Sequence, residues 1–175
     1  MTSAKRLFSG TGITCIRGGR VLFQNLSFGI NPGDIAHLSG PNGAGKSSLL
    51  RIMCGVLPVE AGEIRWNSEG FLENGIESHT ERFSFLPPDD RSLKPLETVL
   101  ENLRFWAGIW GAADKTCLGA LDKMHILNLK DTPVRYLSTG QKRRLSLARV
   151  FIKKAPLWLL DEPLSGLDRD SYDLF

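Results

Sequence analysis

The sequence predicts an α/β fold: a parallel-sheet core, a small antiparallel β-subdomain and an inserted helical subdomain. Three observations predict it. A glycine loop, Gly40-Pro41-Asn42-Gly43-Ala44-Gly45-Lys46-Ser47, separates a semi-apolar run from an amphipathic helical pattern. Two alternating runs flank the turn Gly18-Gly19-Arg20. The continuous apolar run Leu157-Trp158-Leu159-Leu160 ends in two acids, as a parallel strand covered on both faces does.

At 175 residues the chain is long enough for one domain with a real core. Apolar residues are 42% and charged residues 23%, which is ordinary for a soluble globular protein. A net charge of +3 is too small to imply a nucleic-acid partner without a basic stripe, so none is expected. Cys15, Cys54 and Cys117 are scattered and odd in number, which suits a reducing compartment and buried apolar roles. No apolar run can span a bilayer and no secretory signal is present. At a membrane, another chain must therefore anchor this one.

In chain order, residues 12–17 and 21–30 read as strands, and so do residues 34–39 after the turn Asn31-Pro32-Gly33. The glycine loop fits G-x-x-x-x-G-K-[ST]. Phosphates crowd the backbone there, so glycine is needed where a Cβ would clash or φ must be positive. The loop N–H groups form an anion nest, Lys46 can reach the outer phosphates, and the Ser47 hydroxyl can hold Mg²⁺. A chance match in such a chain is on the order of one per cent, so the pattern carries weight. Residues 47–57 follow as a helix with Leu49, Leu50, Met53, Cys54 and Leu57 on one face.

Residues 62–67 read as a third strand of the small sheet, 68–81 as a polar loop, and 82–86 as a strand ended by Pro87-Pro88-Asp89-Asp90. Pro95 opens a helix with Leu96, Val99, Leu100, Leu103, Trp106, Ala107 and Trp110 on one face; the tryptophan pair reads as packing. Residues 112–124 form a weaker helix. Another runs from Leu137-Ser138-Thr139-Gly140-Gln141 to about Lys154, with Ser138 or Thr139 as N-cap and Gly140 allowing close approach. The run Lys142-Arg143-Arg144 reads as a solvated face, though it opposes the helix dipole and hints at an anion nearby. Two acids at a buried strand end are costly unless a cation meets them. Asp161 is thus the candidate metal partner, by way of water, and Glu162 the candidate base.

Taken together, the chain resembles the ATP-binding subunits of ABC transporters along essentially its whole length. Residues 40–47 match Walker A, and 157–162 match Walker B with its catalytic glutamate. Residues 137–141 match the signature motif, with Thr139 where the family has glycine, and Ser165-Gly166-Leu167-Asp168 match the D-loop. The resemblance implies a P-loop NTPase (RecA-like) core formed by residues 1–92 and 151–175 and a helical signature subdomain at 93–150, within one nucleotide-binding domain. It implies ATP and Mg²⁺ as cofactors, bound by residues 40–47 with Ser48, and catalysis through Glu162 and Lys46. Ser138, Gly140 and Gln141 would cover the γ-phosphate held by a second copy, giving an ATP-sandwich homodimer. Its opening and closing would drive a membrane partner touched by the helical arm.

Residues 93–107, 138–145 and 156–163 look like the haem-exporter ATP-binding subunits (the CcmA subfamily) of cytochrome c maturation. That implies CcmB/CcmC-like integral membrane subunits and a peripheral place on the cytoplasmic face of the inner membrane. Besides Thr139, the chain departs from the family in three further respects. Asp89 or Asp90 stands where a Q-loop glutamine would contact Mg²⁺. Arg17 stands where an aromatic would stack on adenine; it stacks through its guanidinium plane or faces solvent. His37, His79 and His125 all precede residues 157–162, so none is the switch histidine, and the chain reads as C-terminally truncated or impaired in hydrolysis. An ABC-type ATPase acting on DNA or ribosomes, and a nucleotide-binding module without turnover, are the rival expectations. Salt-dependent duplex binding marks the first, and tight ATP binding without phosphate release the second.

Overall fold

The computed structural model describes residues 7–67, 69–70 and 75–167. By its contacts the chain divides into two units, residues 1–83 and 84–175.

In the first unit, strands β1 (Phe8–Arg17), β2 (Arg20–Ile30), β3 (Ala61–Trp66) and β4 (Glu69–Gly70) make one antiparallel sheet in the order β2-β1-β3-β4. Phe8 faces Trp66 across the β1–β3 ladder. Alternation buries Ile64 and Trp66 on β3, and on β1 it buries Phe8 and then, after a register shift between Gly10 and Ile13, Ile13 and Cys15. Helix α1 (Lys46–Met53) buries Leu49, Ile52 and Met53.

The helix expected over residues 47–57 ends at Met53, so Leu57 lies beyond it. Two further expectations fail in this unit. Residues 34–39 form no strand: residues 31–40 are exposed, Ile35 to 95%. A strand exists by its ladder, and among the described residues none pairs with this segment. The expected loop at 68–81 instead contains β4 and helix α2 (Gly75–Glu81), which buries His79. The Trp66 indole Nε1–H donates to His79 Nδ1 at 2.8 Å, and His79 Nε2 lies 2.9 Å from the Met53 carbonyl. Indole nitrogen only donates and a carbonyl only accepts, so the pair fixes a neutral imidazole with its proton on Nε2. His79 thereby ties the last residue of α1 to β3.

Strand β5 (Phe83–Leu86), which lies in the second unit from Ser84 onward, runs beside β6 (Leu157–Leu160) as a parallel pair. Helices α3 (Val99–Trp110), α4 (Asp114–Lys123) and α5 (Thr139–Ile152) share one core built on Leu103, Leu121, Met124, Leu145 and Leu147. Helix α3 starts later than Pro95, because Thr98 and Glu101 form a capping box there. Buried Asn102 braces the preceding turn: its amide donates to the carbonyls of Lys94 and Thr98, both at 3.0 Å. Trp106 and Trp110 stack at 5.2 Å, as expected of packing, with the Arg149 guanidinium 5.0 Å from the Trp106 ring centre. Strand β6 is not covered on both faces, since Trp158 is 39% exposed and packs edge-on against Phe151. The three cysteines are free and buried, as expected.

Candidate functional site

The glycine loop leads directly into α1. Gly45 caps the helix at φ 97° with no side-chain hydrogen bond, and no acid occupies the first turn. The first N–H groups of a helix lack intrahelical partners, and the dipole adds positive potential, so this end is built for an anion. A side chain at Gly45 is excluded twice over. Its φ is left-handed, and a Cβ would come within 2.9 Å of the Phe23 ring and 3.1 Å of Leu22 on β2. The Lys46 ammonium donates to the carbonyls of Gly40 at 2.8 Å and Pro41 at 3.0 Å, so it lies over the loop. Ala44, Ser47 and Ser48 are half-buried, whereas Gly40, Pro41, Asn42 and Gly43 are exposed. Arg17 is exposed at the end of β1.

In the second unit, β6 delivers Asp161 and Glu162. Asp161 is 4% exposed, and its Oδ2 has no hydrogen-bond partner among the described residues. Such an oxygen is costly unless a donor or cation meets it. Glu162 is exposed and sits at φ 48°, uncommon for a residue with a Cβ. Its carbonyl accepts from Ser165 N–H at 3.0 Å, closing the turn into the D-loop. Asp168 of that motif lies outside the described residues.

The solvated-face reading of Lys142-Arg143-Arg144 fails at Arg143, which is 2% exposed. Its guanidinium donates to the carbonyls of Pro87 at 2.7 Å, Asp161 at 2.6 Å, Glu162 at 2.7 Å and Pro163 at 3.3 Å. Burial draws the Arg143 pKa below the usual arginine range, while the charges of Asp90, Asp161, Glu162 and Asp89 act upward. A signal was available: Arg143, Leu147 and Val150 share the i, i+4, i+7 face, and α5 is buried almost all round.

Asp90 accepts from the Ser146 hydroxyl at 2.8 Å, while Asp89 pairs with Arg91 at 3.3 Å in a half-exposed position. At the start of α5, Ser138 is the N-cap and closes a capping box with Gln141: Ser138 Oγ accepts from Gln141 N–H, and Gln141 Oε1 accepts from Ser138 N–H. The Ser138 O–H remains able to donate outward. Gly140 does permit close approach, because a Cβ there would stand 3.0 Å from the Gly166 carbonyl. Among the described residues, no three His, Cys, Asp or Glu side chains gather as a metal site of their own. None of the described helices is long and apolar enough to cross a membrane.

A family model described as ABC transporter matches residues 23–165, which spans the glycine loop, the capped α5 and the acids after β6. The chain belongs to the ABC transporter family. Within this family it is an ATP-binding subunit whose ATP hydrolysis is coupled to transport. It is 43% identical over 168 residues to a protein of Paramagnetospirillum magneticum named cytochrome c biogenesis ATP-binding export protein CcmA, covering 94% of this chain and 76% of that one. Among solved structures it is similar to a putative ABC transporter ATP-binding protein from Pyrococcus furiosus. The TM-score there is 0.83 at 25% identity, over 95% of this chain and 80% of the other. It is also similar to cbiO1 of Clostridium perfringens, part of the ABC transporter complex cbiONQ. That match has a TM-score of 0.82 at 25% identity, over 97% of this chain and 70% of the other. The ABC ATP-binding fold is thus the α/β P-loop architecture expected from the motifs.

Proposed function

We propose that this chain is the ATP-hydrolysing subunit of the haem-export, cytochrome c maturation system, and that residues 1–175 act as one nucleotide-binding domain. The name carried by the 43% identical relative supports the choice of system. The buried, unpartnered Asp161 Oδ2 beside exposed Glu162 supports the chemistry.

Magnesium fits these residues. An orphaned carboxylate oxygen suits a hard cation that uses one or two carboxylates plus substrate phosphates, and such a site needs no cluster of protein ligands. Asp161 would hold it through water, with the Ser47 hydroxyl, and Asp89 takes the place of the family's glutamine contact. When bound, the ion neutralises charge on the β- and γ-phosphates. The remaining work falls to the chain. The N–H groups of residues 40–48 and the Lys46 ammonium grip the triphosphate, and the exposed Arg17 plane stacks on the base. Glu162 accepts a proton from water as its oxygen bonds to the γ-phosphorus and the bond to the β-phosphate oxygen breaks. Ser138 donates its O–H to the γ-phosphate of a second copy, with Gly140 and Gln141 shaping the helix end around it. The resulting homodimer has two sites, each completed by its partner.

The chain would work on the cytoplasmic face of the inner membrane against CcmB/CcmC-like integral subunits. In a host that depends on this system, loss of the gene should abolish covalent haem in c-type cytochromes, read by haem staining after denaturing electrophoresis. Asp161→Asn supplied in its place should not restore staining. Normal staining in the deletion strain would contradict the assignment.

A further inference from the structure

We infer that Arg143 is a positioning residue for hydrolysis, fixing the backbone that aims Glu162. The inference rests on the reading of Glu162 as the base that polarises water.

Three consecutive carbonyls, those of Asp161, Glu162 and Pro163, turn toward one buried guanidinium, and a fourth from Pro87 joins them. Arginine presents five donors in a rigid plane and stays charged when buried, so it can satisfy four acceptors that no neutral side chain could. What it holds is a strained turn. Glu162 has a Cβ yet sits at φ 48°, in a region such residues rarely adopt. Its side chain is exposed, so the direction of its carboxylate is set from behind, by the main chain. Two of the Arg143 contacts are to the peptide units on either side of the Glu162 Cα, at 2.6 and 2.7 Å.

Arg143 also stands five residues past the Ser138 N-cap, within the first two turns of α5. The helix start proposed to meet the second copy's phosphate and the turn bearing this copy's base are therefore joined through one side chain. Displacement of one is carried to the other.

The test uses the full protein assembled with its membrane subunits, in wild-type and Glu162→Gln backgrounds. Steady-state kcat and KM for ATP are measured for Arg143→Gln and Arg143→Lys, with melting temperature alongside. Misplacing a catalytic group by about an ångström lowers kcat strongly, so Arg143→Gln should lose at least about ten-fold in kcat. KM should stay within about two-fold of wild type, since nucleotide grip belongs to the glycine loop. Arg143→Lys, which keeps the charge and part of the donor set, should recover part of the loss. In the Glu162→Gln background, Arg143→Gln should add little, because a residue acting through Glu162 has nothing left to position.

An unchanged kcat in Arg143→Gln, with Glu162→Gln crippled, would overturn the inference and leave the assignment of Glu162 standing. Equal losses in both backgrounds, or a parallel loss of ATP affinity, would reduce Arg143 to a folding role and overturn it too. Wild-type turnover in Glu162→Gln would remove the reading of Glu162 itself. If Arg143→Gln does not fold, Arg143→Lys decides by the same two criteria.

Discussion

The Arg143 guanidinium and the Glu162 carbonyl lie 2.7 Å apart, so a residue of the signature helix holds the turn that carries the proposed catalytic base. The same cation serves Asp161, whose backbone N–H in turn donates to Leu86 of β5 at 2.9 Å. Strand end, D-loop turn and helix α5 are thus a single hydrogen-bonded unit.

Nucleotide grip should depend on Lys46. Among the described residues its ammonium is held by two exposed loop carbonyls, so its removal costs the fold little. Lys46→Ala should weaken ATP binding at least about ten-fold, the loss of a charge-assisted contact worth about 1.5–3 kcal/mol. The melting temperature without nucleotide should change by no more than about 2 °C. Titration with a fluorescent ATP analogue checks the first expectation, and a thermal melt the second.

His79 should matter for stability rather than chemistry. His79→Leu leaves the Trp66 indole N–H and the Met53 carbonyl buried without this partner. An unsatisfied buried group costs about 1–3 kcal/mol, so urea unfolding should show a loss of about 2–4 kcal/mol. A loss below about 0.5 kcal/mol would mean that the bridge between α1 and β3 is not formed in solution.

Acid sensitivity should have a contribution from the α3 capping box. The Thr98 backbone N–H, donating to Glu101 at 2.7 Å, holds the Glu101 carboxyl below its usual range, helped by the Thr98 hydroxyl. A depressed folded pKa stabilises fully above the unfolded value of the glutamate, and the gain is lost as pH falls through the lower folded value. Glu101→Gln keeps an acceptor for Thr98 N–H but cannot titrate. Its stability should therefore fall less steeply than wild type on acidification through the carboxylate range, as read from denaturant midpoints at several pH values. Parallel curves for the two proteins would refute this.

Much of this was legible beforehand, for identifiable reasons. The glycine loop was readable because phosphate geometry dictates residue type at each position. Strands β1 to β3 and helices α4 and α5 were readable from periodicity and caps. The capping box at Thr98 and Glu101 was also in plain view as T-x-x-E, yet Pro95 drew the helix start too early. Residues 34–39 have strand-like composition, but pairing is a property of a partner, and a single run cannot supply it. Helix α2 is short and polar, and its one buried residue depends on Trp66, thirteen positions away. Arg143 looked solvated because charge suggests exposure. Its burial reflects four carbonyls gathered from two distant segments, and that convergence exists only in three dimensions.

The most direct test of the account is the oligomeric state of Glu162→Gln in ATP and magnesium, measured by light scattering on a size-exclusion column. If Glu162 polarises the attacking water and two copies close over ATP, the variant should remain a stable dimer under conditions where the wild type dimerises only in passing. A variant that stays monomeric in ATP, beside a wild type that dimerises, would contradict it.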